Sequence, residues 1–432
     1  MSAALPAEVS VLILGGTTHL SRPLLKWLLD PSNHDDRSNV EIKHIRLADK
    51  YLVSNGTSTT YIEPDTWTAL KDPRVEYRQV NLNLASNLSK VYDHPDGDSY
   101  DVVFDFTGEG VGQPDVPEEL LLERTTKLAR SIATESLRRN VKAHIRDTLA
   151  FLTVDINASP VKEADIIKPK SARAYWWYEA ERAVASVPDL PLAITRSAEL
   201  VGPFVFHGSI PSRYALGQVY KHLQEPLKFL WGPELRINTI HIDDWCPAAW
   251  KLVEWVASRS RSEADQLAGE NLPPVRIKDK LQDSLREKVG SDCCPRSETP
   301  RAPVFNLVDD TDFNQGKLLR MIGESFQIET GFVNALVNTW ARVNLAGVAD
   351  DINEKHATAI AEIVKRTGID DVALKGWIDT EMLANQSLAF DNAKIKRIIG
   401  WSPKVDVNRE RLDEILDRIR ELNQFPKRDS VM

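Results

Sequence analysis

The run Val9-Ser-Val-Leu-Ile-Leu14 leads straight into Gly15-Gly16, and the chain then reads Thr17-Thr-His-Leu-Ser-Arg-Pro23 before the next apolar stretch. An apolar strand that ends on glycine and hands over to a helix opening near Pro23 narrows the choice of fold more than any other feature. In a doubly wound α/β sheet, such a strand–turn–helix unit aims backbone N–H groups at the pyrophosphate of a dinucleotide. A full G-x-x-G-x-x-G pattern beginning at Gly15 needs glycine at 18 and 21, where the chain has Thr18 and Ser21. The tight-turn glycine is present, while small hydroxyl residues replace those that admit a close phosphate and a close helix. A glycine motif alone is a weak signal. Gly15, Gly16, Thr17, Thr18, His19 and Leu20 are therefore expected to line a cofactor site, against a competing reading in which the fold keeps only the shape.

Strand and helix signals alternate through the first half, the pattern of a parallel sheet with crossover helices. Strands are expected at 9–14, 42–48, 75–80, 100–106, 142–149 and 191–195, with helices at 118–139 and 172–187. Past Arg196 the rhythm breaks at Gly202-Pro203, Gly208, Pro211 and Gly232-Pro233, and strand character returns at 304–307. The expected architecture is a doubly wound, Rossmann-like parallel sheet over 1–200, taking strand and helix returns from the second half. A smaller C-terminal α/β substrate region follows over 201–425. Residues 258–302 are rich in Ser, Arg, Lys, Glu and Pro with little apolar periodicity. That composition is expected to form an exposed, polar insertion that is dispensable for folding.

Bulk properties exclude several classes. With 54 Lys and Arg against 63 Asp and Glu, the 432-residue chain carries a net charge of −9, so no general basic field favours nucleic acid or an anionic membrane. No apolar stretch approaches the roughly 20 residues of a membrane span. The first eight residues lack the basic and apolar regions of a signal peptide. The three cysteines, Cys246, Cys293 and Cys294, form neither a disulfide framework nor a spaced metal set, so no metal is expected. These features together point to a soluble protein of a reducing compartment, the cytoplasm.

Asp49 ends the second expected strand, where an acidic residue accepts hydrogen bonds from ribose hydroxyls and repels a 2′-phosphate. This favours NAD over NADP, although a plain strand-end aspartate is the alternative. Asn81 follows the third strand and is either an adenine contact or a turn residue. Thr107 and Gly108 follow the fourth strand and face the first glycine turn across the point where strand order reverses, which suits close approach of a cofactor.

Further landmarks fall in a fixed order: Phe104-Asp-Phe-Thr-Gly108, Ile194-Thr-Arg196 with Val201-Gly-Pro203, Arg236-Ile-Asn-Thr-Ile-His241-Ile-Asp-Asp244, Val304-Phe-Asn-Leu-Val308, and Gly400-Trp-Ser-Pro403. With Gly15-Gly16-Thr17 they make the chain resemble the extended short-chain dehydrogenases, the NAD-dependent epimerase/dehydratase family. The resemblance implies an NAD cofactor and an oxidoreductase, epimerase or dehydratase acting on a small or sugar-derived carbonyl or alcohol. It also implies a small-molecule, nucleotide-linked substrate contacted by Arg236, and it allows a homodimer. Asp243 or Asp244 is expected to cap the helix that follows His241.

Members of that family carry a Ser or Thr after strand five and a Tyr-x-x-x-Lys on the next helix. Here Thr148 supplies the hydroxyl, but the helix reads Arg173-Ala-Tyr175-Trp-Trp-Tyr178-Glu-Ala-Glu-Arg182, with no lysine four residues after either tyrosine. Tyr178 has Arg182 one turn on, whereas Tyr175 has the like charge Glu179. Thr148, Tyr178 and Arg182 are therefore the candidate catalytic set. A register fixed on Glu181 instead places Arg173 and Trp177 at the tyrosine and lysine positions and leaves the dyad absent. The remaining alternatives are a packed aromatic helix start, and a cofactor-binding sensor or scaffold that turns nothing over.

Overall fold

The computed structural model describes residues 5–427 apart from 55–57, 98, 111–115, 149–152, 207, 276–279, 290–291, 370–371 and 375. Its main sheet is built from β1 (Glu8–Leu14), β2 (Glu41–Asp49), β3 (Val75–Gln79), β4 (Val102–Asp105), β5 (Ala143–Thr148) and β6 (Leu192–Ser197). These six run parallel in the spatial order β3-β2-β1-β4-β5-β6, with the reversal between β1 and β4. All of β4, β5 and β6, and β1 beyond Glu8, is buried, as strands covered by helices on both faces require. Leu149, expected as the last residue of the fifth strand, lies outside the described residues.

The chain then adds the short strands β7 (Glu199–Val201), β8 (Leu227–Phe229) and β9 (Thr239–His241), followed by β10 (Gly269–Asn271), β11 (Arg301–Leu307) and β12 (Thr330–Phe332). β11 returns to the main sheet beside β6, while β7–β9 and β8–β12 form two separate parallel pairs. A second apolar cluster forms around Ile210, Leu216, Phe229, Leu318, Ile322, Leu412 and Ile415, apart from the core under the main sheet. His241, through Nδ1, caps the helix Ile242–Ala257 in place of either expected aspartate. Asp244 instead accepts the N–H groups of Lys404 and Val405 just past Gly400-Trp-Ser-Pro403, tying the chain's last quarter to this helix.

The segment 258–302 differs from the exposed insertion expected of its composition. Its helix Arg261–Ala268 opens on a Ser260/Glu263 capping box, and β10 extends the main sheet antiparallel to β11. Leu272, Leu285, Cys293 and Cys294 are buried. Two of its charges are spent internally, while others such as Glu263, Glu287, Lys288 and Arg296 stay exposed. Buried Arg261 donates to the carbonyls of Ala185 and Leu190, and buried Arg286 pairs with Glu179 on the helix Ala172–Ala185. Composition counts these arginines as surface residues; the fold uses them as polar pins through the core.

Candidate functional site

The end of β1 meets its neighbours at very short range. Gly15 has φ +75°, and its N–H and that of Gly16 both donate to Ala48 O at 3.0 Å. A Cβ added at Gly15 would lie 2.8 Å from Phe106 O, and one at Gly16 would lie 2.7 Å from Leu47 Cβ. Both glycines are therefore required for the turn to fit between β2 and β4. The hydroxyls at the degenerate positions fasten the turn to the following helix, Ser21–Leu29. Thr18 Oγ1 and Ser21 Oγ are 2.7 Å apart, and buried Ser21 also donates to Gly15 O. Ser21 thus fills room that a third glycine would leave open. His19 and buried Leu20 carry the backbone from the turn to the helix start.

Asp49 closes this turn from the side. Its carboxylate accepts Thr17 N–H at 2.9 Å, Thr17 Oγ1–H at 2.6 Å and Lys50 N–H at 2.7 Å. Three of roughly four acceptor sites on a carboxylate are thereby taken. Asn81 is exposed, and its Oδ1 accepts the N–H of Asn83 at 3.1 Å, which is the geometry of a turn asparagine.

Across the switch point, Thr107 donates through N–H and Oγ1 to Asp105, whose carboxylate pairs with Arg146 of β5 at 2.9 Å. The loop that follows is held down on the helix Ala172–Ala185. Trp177 Nε1–H donates to Glu109 O at 2.9 Å, and Arg173 Nη1–H donates to Gly110 O at 2.8 Å. Glu109 N–H reaches Thr125 Oγ1 at 3.0 Å, and the Glu109 carboxylate pairs with Lys50 beyond β2. Gly108, at φ +148°, sits so close under the Trp177 ring that any Cβ there would overlap it. Below, the Arg146 guanidinium carbon lies 5.1 Å from a Trp177 ring centroid. Arg146 Nε and Nη2 are buried without a hydrogen-bond partner among the described residues, beside this cation–π contact.

The expected Thr148–Tyr178–Arg182 set is not assembled. Thr148 Oγ1 lies 2.8 Å from Thr195 O and 3.0 Å from Glu181 Oε1. Tyr178 is buried and donates its O–H to Pro273 O at 2.8 Å. Burial above all, and then Glu181, push its phenol above the usual range, the wrong direction for a base. Arg182 is fully engaged by Glu179 and by the carbonyls of Leu272, Pro295 and Glu298. Tyr178 and Arg182 thus anchor the segment 258–302, and Tyr175 packs edge-on against Trp176 in the core. Glu181 instead forms a buried pair with Arg196 at 2.6 Å. The register fixed on Glu181 is the one in which Arg173 and Trp177, one helical turn apart, face the loop after β4.

Beside the glycine turn lies a cavity of about 400 Å³ whose wall includes His19, Asp147, Ser197, Glu199, Arg213 and Arg236. Burial pushes the Asp147 carboxyl up to about 7, although Ser197 and Thr195 donate to Oδ1 and Arg146 draws it back. Burial also raises Glu199 and lowers Arg213 to about 10. Neither Arg213 nor Arg236 forms an ion pair among the described residues; each donates to a backbone carbonyl, of Met382 and Ala158 respectively. Asp147, Glu199 and Arg213 escaped the sequence reading because each resembles an ordinary strand or helix polar residue until the fold gathers them. No cluster of His, Cys, Asp or Glu able to hold a metal occurs among the described residues. None of their helices is long and apolar enough to cross a membrane.

No family model and no curated protein sequence matches this chain. Solved structures do. UDP-glucuronic acid 4-epimerase from Bacillus cereus, in complex with UDP-glucuronic acid and NAD, aligns at TM-score 0.60 and 13% identity over 96% of this chain and 99% of that one. A dTDP-glucose 4,6-dehydratase from Streptomyces venezuelae with NAD bound aligns at TM-score 0.59 and 14% identity, covering 95% of this chain and 97% of its own. The protein Pal from Bacillus thuringiensis aligns at 0.59 and 15%, covering 96% and 99%. The doubly wound fold, and its C-terminal portion with it, is that of these proteins.

Tested against a dinucleotide, the residues present fit one half and not the other. In this fold the halves lie over β1–β3 and over β4–β6. On the β1–β3 side stand two glycines that tolerate no Cβ and the Asp49 carboxylate. On the β4–β6 side the ring of Trp177 lies against Gly108 and Arg146, and no lysine or accessible tyrosine projects from the helix.

Proposed function

We propose that the chain is a nucleotide-binding protein of the epimerase/dehydratase type, holding NAD or its adenosine-diphosphate portion at the glycine turn and a nucleotide-linked small molecule in the adjoining cavity. The observation that carries this reading is the pair Arg213 and Arg236, two arginines outside any described ion pair that line the same cavity as His19 of the turn. Such guanidiniums are ready donors for a diphosphate. Asp49 at the end of β2 supports NAD over NADP, because a 2′-phosphate would meet a carboxylate there. The neighbours with NAD, UDP-glucuronic acid or UDP bound support the same assignment of ligands.

Within the cavity Asp147 is the group best suited to acid–base work, since its carboxyl titrates near neutrality and lines the wall. The lack of an assembled phenol–cation pair favours a second reading, a binding protein without turnover. Thermal shift and calorimetry with UDP-glucose test the first. Native chain should bind it and Arg236→Ala should lose about tenfold or more in affinity, roughly 1.4 kcal/mol. Equal binding by both would remove Arg236 from the site.

A further inference from the structure

The start of the loop after β4, residues 106–110, is fastened at four points. Glu109 N–H is held by Thr125, Glu109 O by Trp177, Gly110 O by Arg173, and the Glu109 carboxylate by Lys50 and Arg124. Trp177 contributes more than a hydrogen bond. Its indole fills the space between Gly108 and the Arg146 guanidinium and is almost wholly buried. That space is where the second half of a dinucleotide would pass over the carboxyl ends of β4 and β5. A ligand entering it would have to displace the ring, break the bond to Glu109 O and uncover a buried guanidinium. On the other side of the switch point the turn is held by hydrogen bonds, Gly15 and Gly16 N–H to Ala48 O and Thr17 N–H to Asp49.

Resting on the reading that the glycine turn binds an adenine nucleotide, we propose that the chain recognises the adenosine-diphosphate part and excludes the nicotinamide part. Its ligand class is then ADP or ADP-ribose, with the loop after β4 closed on Trp177, and no hydride is transferred at this site. Lys50, which follows Asp49 at the end of β2 and pairs with Glu109, is the cation that a diphosphate would recruit when that ion pair opens. Arg146 stays paired with Asp105 under the ring and takes no part in binding.

Calorimetry on the full chain with ADP, ADP-ribose, NAD and nicotinamide mononucleotide tests this. The expected result is that ADP or ADP-ribose binds at least tenfold more tightly than NAD, and that nicotinamide mononucleotide does not bind. ADP against ADP-ribose then decides whether the terminal ribose is seated. Trp177→Ala should bring NAD to within about threefold of ADP-ribose while leaving ADP affinity nearly unchanged. Trp177→Phe keeps the ring, guards against loss of folding in the alanine variant, and should preserve the discrimination. NAD binding more tightly than ADP-ribose in the native chain overturns the proposal while leaving the nucleotide reading standing. An unchanged NAD to ADP-ribose ratio in a folded Trp177→Ala chain does the same. If no adenine nucleotide binds, the underlying reading fails, and the proposal fails with it.

Discussion

Replacing Glu179 by Gln tests whether the segment 258–302 belongs to the core. The Glu179 carboxylate is buried and receives Arg182 Nη1–H at 3.1 and 2.9 Å, and it also pairs with Arg286 of the segment. Glutamine keeps the volume and one acceptor but removes the charge, leaving two buried guanidiniums without their carboxylate. Breaking a buried pair by removing one partner costs about 3–5 kcal/mol. The retained amide oxygen and the carbonyls around Arg182 place Glu179→Gln at the lower end, about 3 kcal/mol. With a denaturant slope near 3 kcal/mol per molar, the urea midpoint should fall by about 1 M. Limited trypsin digestion should then cut first between 280 and 298, where Arg286 has lost its anchor. A midpoint within 0.2 M of native (about 0.6 kcal/mol at that slope), with an unchanged digestion pattern, would refute the reasoning.

Three further outcomes follow. Gly16→Val should unfold or aggregate the chain, since a Cβ alone would lie 2.7 Å from Leu47 Cβ and 2.9 Å from Ala48 N; soluble expression at native levels would contradict this. Asp147 titrates near 7 folded and near 3.9 unfolded, so between those values the folded chain keeps a proton that the unfolded chain has lost. Its contribution to stability is present below about pH 4 and is lost as pH rises toward 7. The stability of native chain relative to Asp147→Asn should fall by a few kcal/mol across that window. Taking the difference removes His144, which burial lowers to about 4 and which acts in the opposite sense; a flat difference would show that Asp147 ionises freely. The thiols of Cys246, Cys293 and Cys294 are buried and raised, Cys293 to about 11, so a thiol reagent should react only on unfolding. Prompt labelling of any of the three in native buffer would contradict their placement.

The first and fourth strands were legible in the sequence because strands buried on both faces are mostly apolar. Val9–Leu14 and Val102–Asp105 announce themselves in that way. The edge was not legible. β10 is three residues long, and the arginines that fix its surroundings, Arg261 and Arg286, are residues that composition assigns to solvent. The site was half legible. Gly15, Gly16 and Asp49 lie together at the turn, as their places at the ends of the first two strands suggested, although all three are used to lock it. Tyr178 and Arg182 share a helical face as expected, but that face turns toward Pro273 and Pro295. Periodicity tells which residues share a face and not what the face meets. Trp177 was readable only through the Glu181 register, whose buried partner, Arg196, lies on a strand 15 residues away.

The most direct test of the central claim is a crystal structure of the full chain with ADP-ribose. Density for the diphosphate over 15–20, the adenosine ribose beside Asp49 and the loop after β4 still closed on Trp177 is the expected result. A nucleotide seated only in the cavity near Arg236, with the glycine turn untouched, would contradict it.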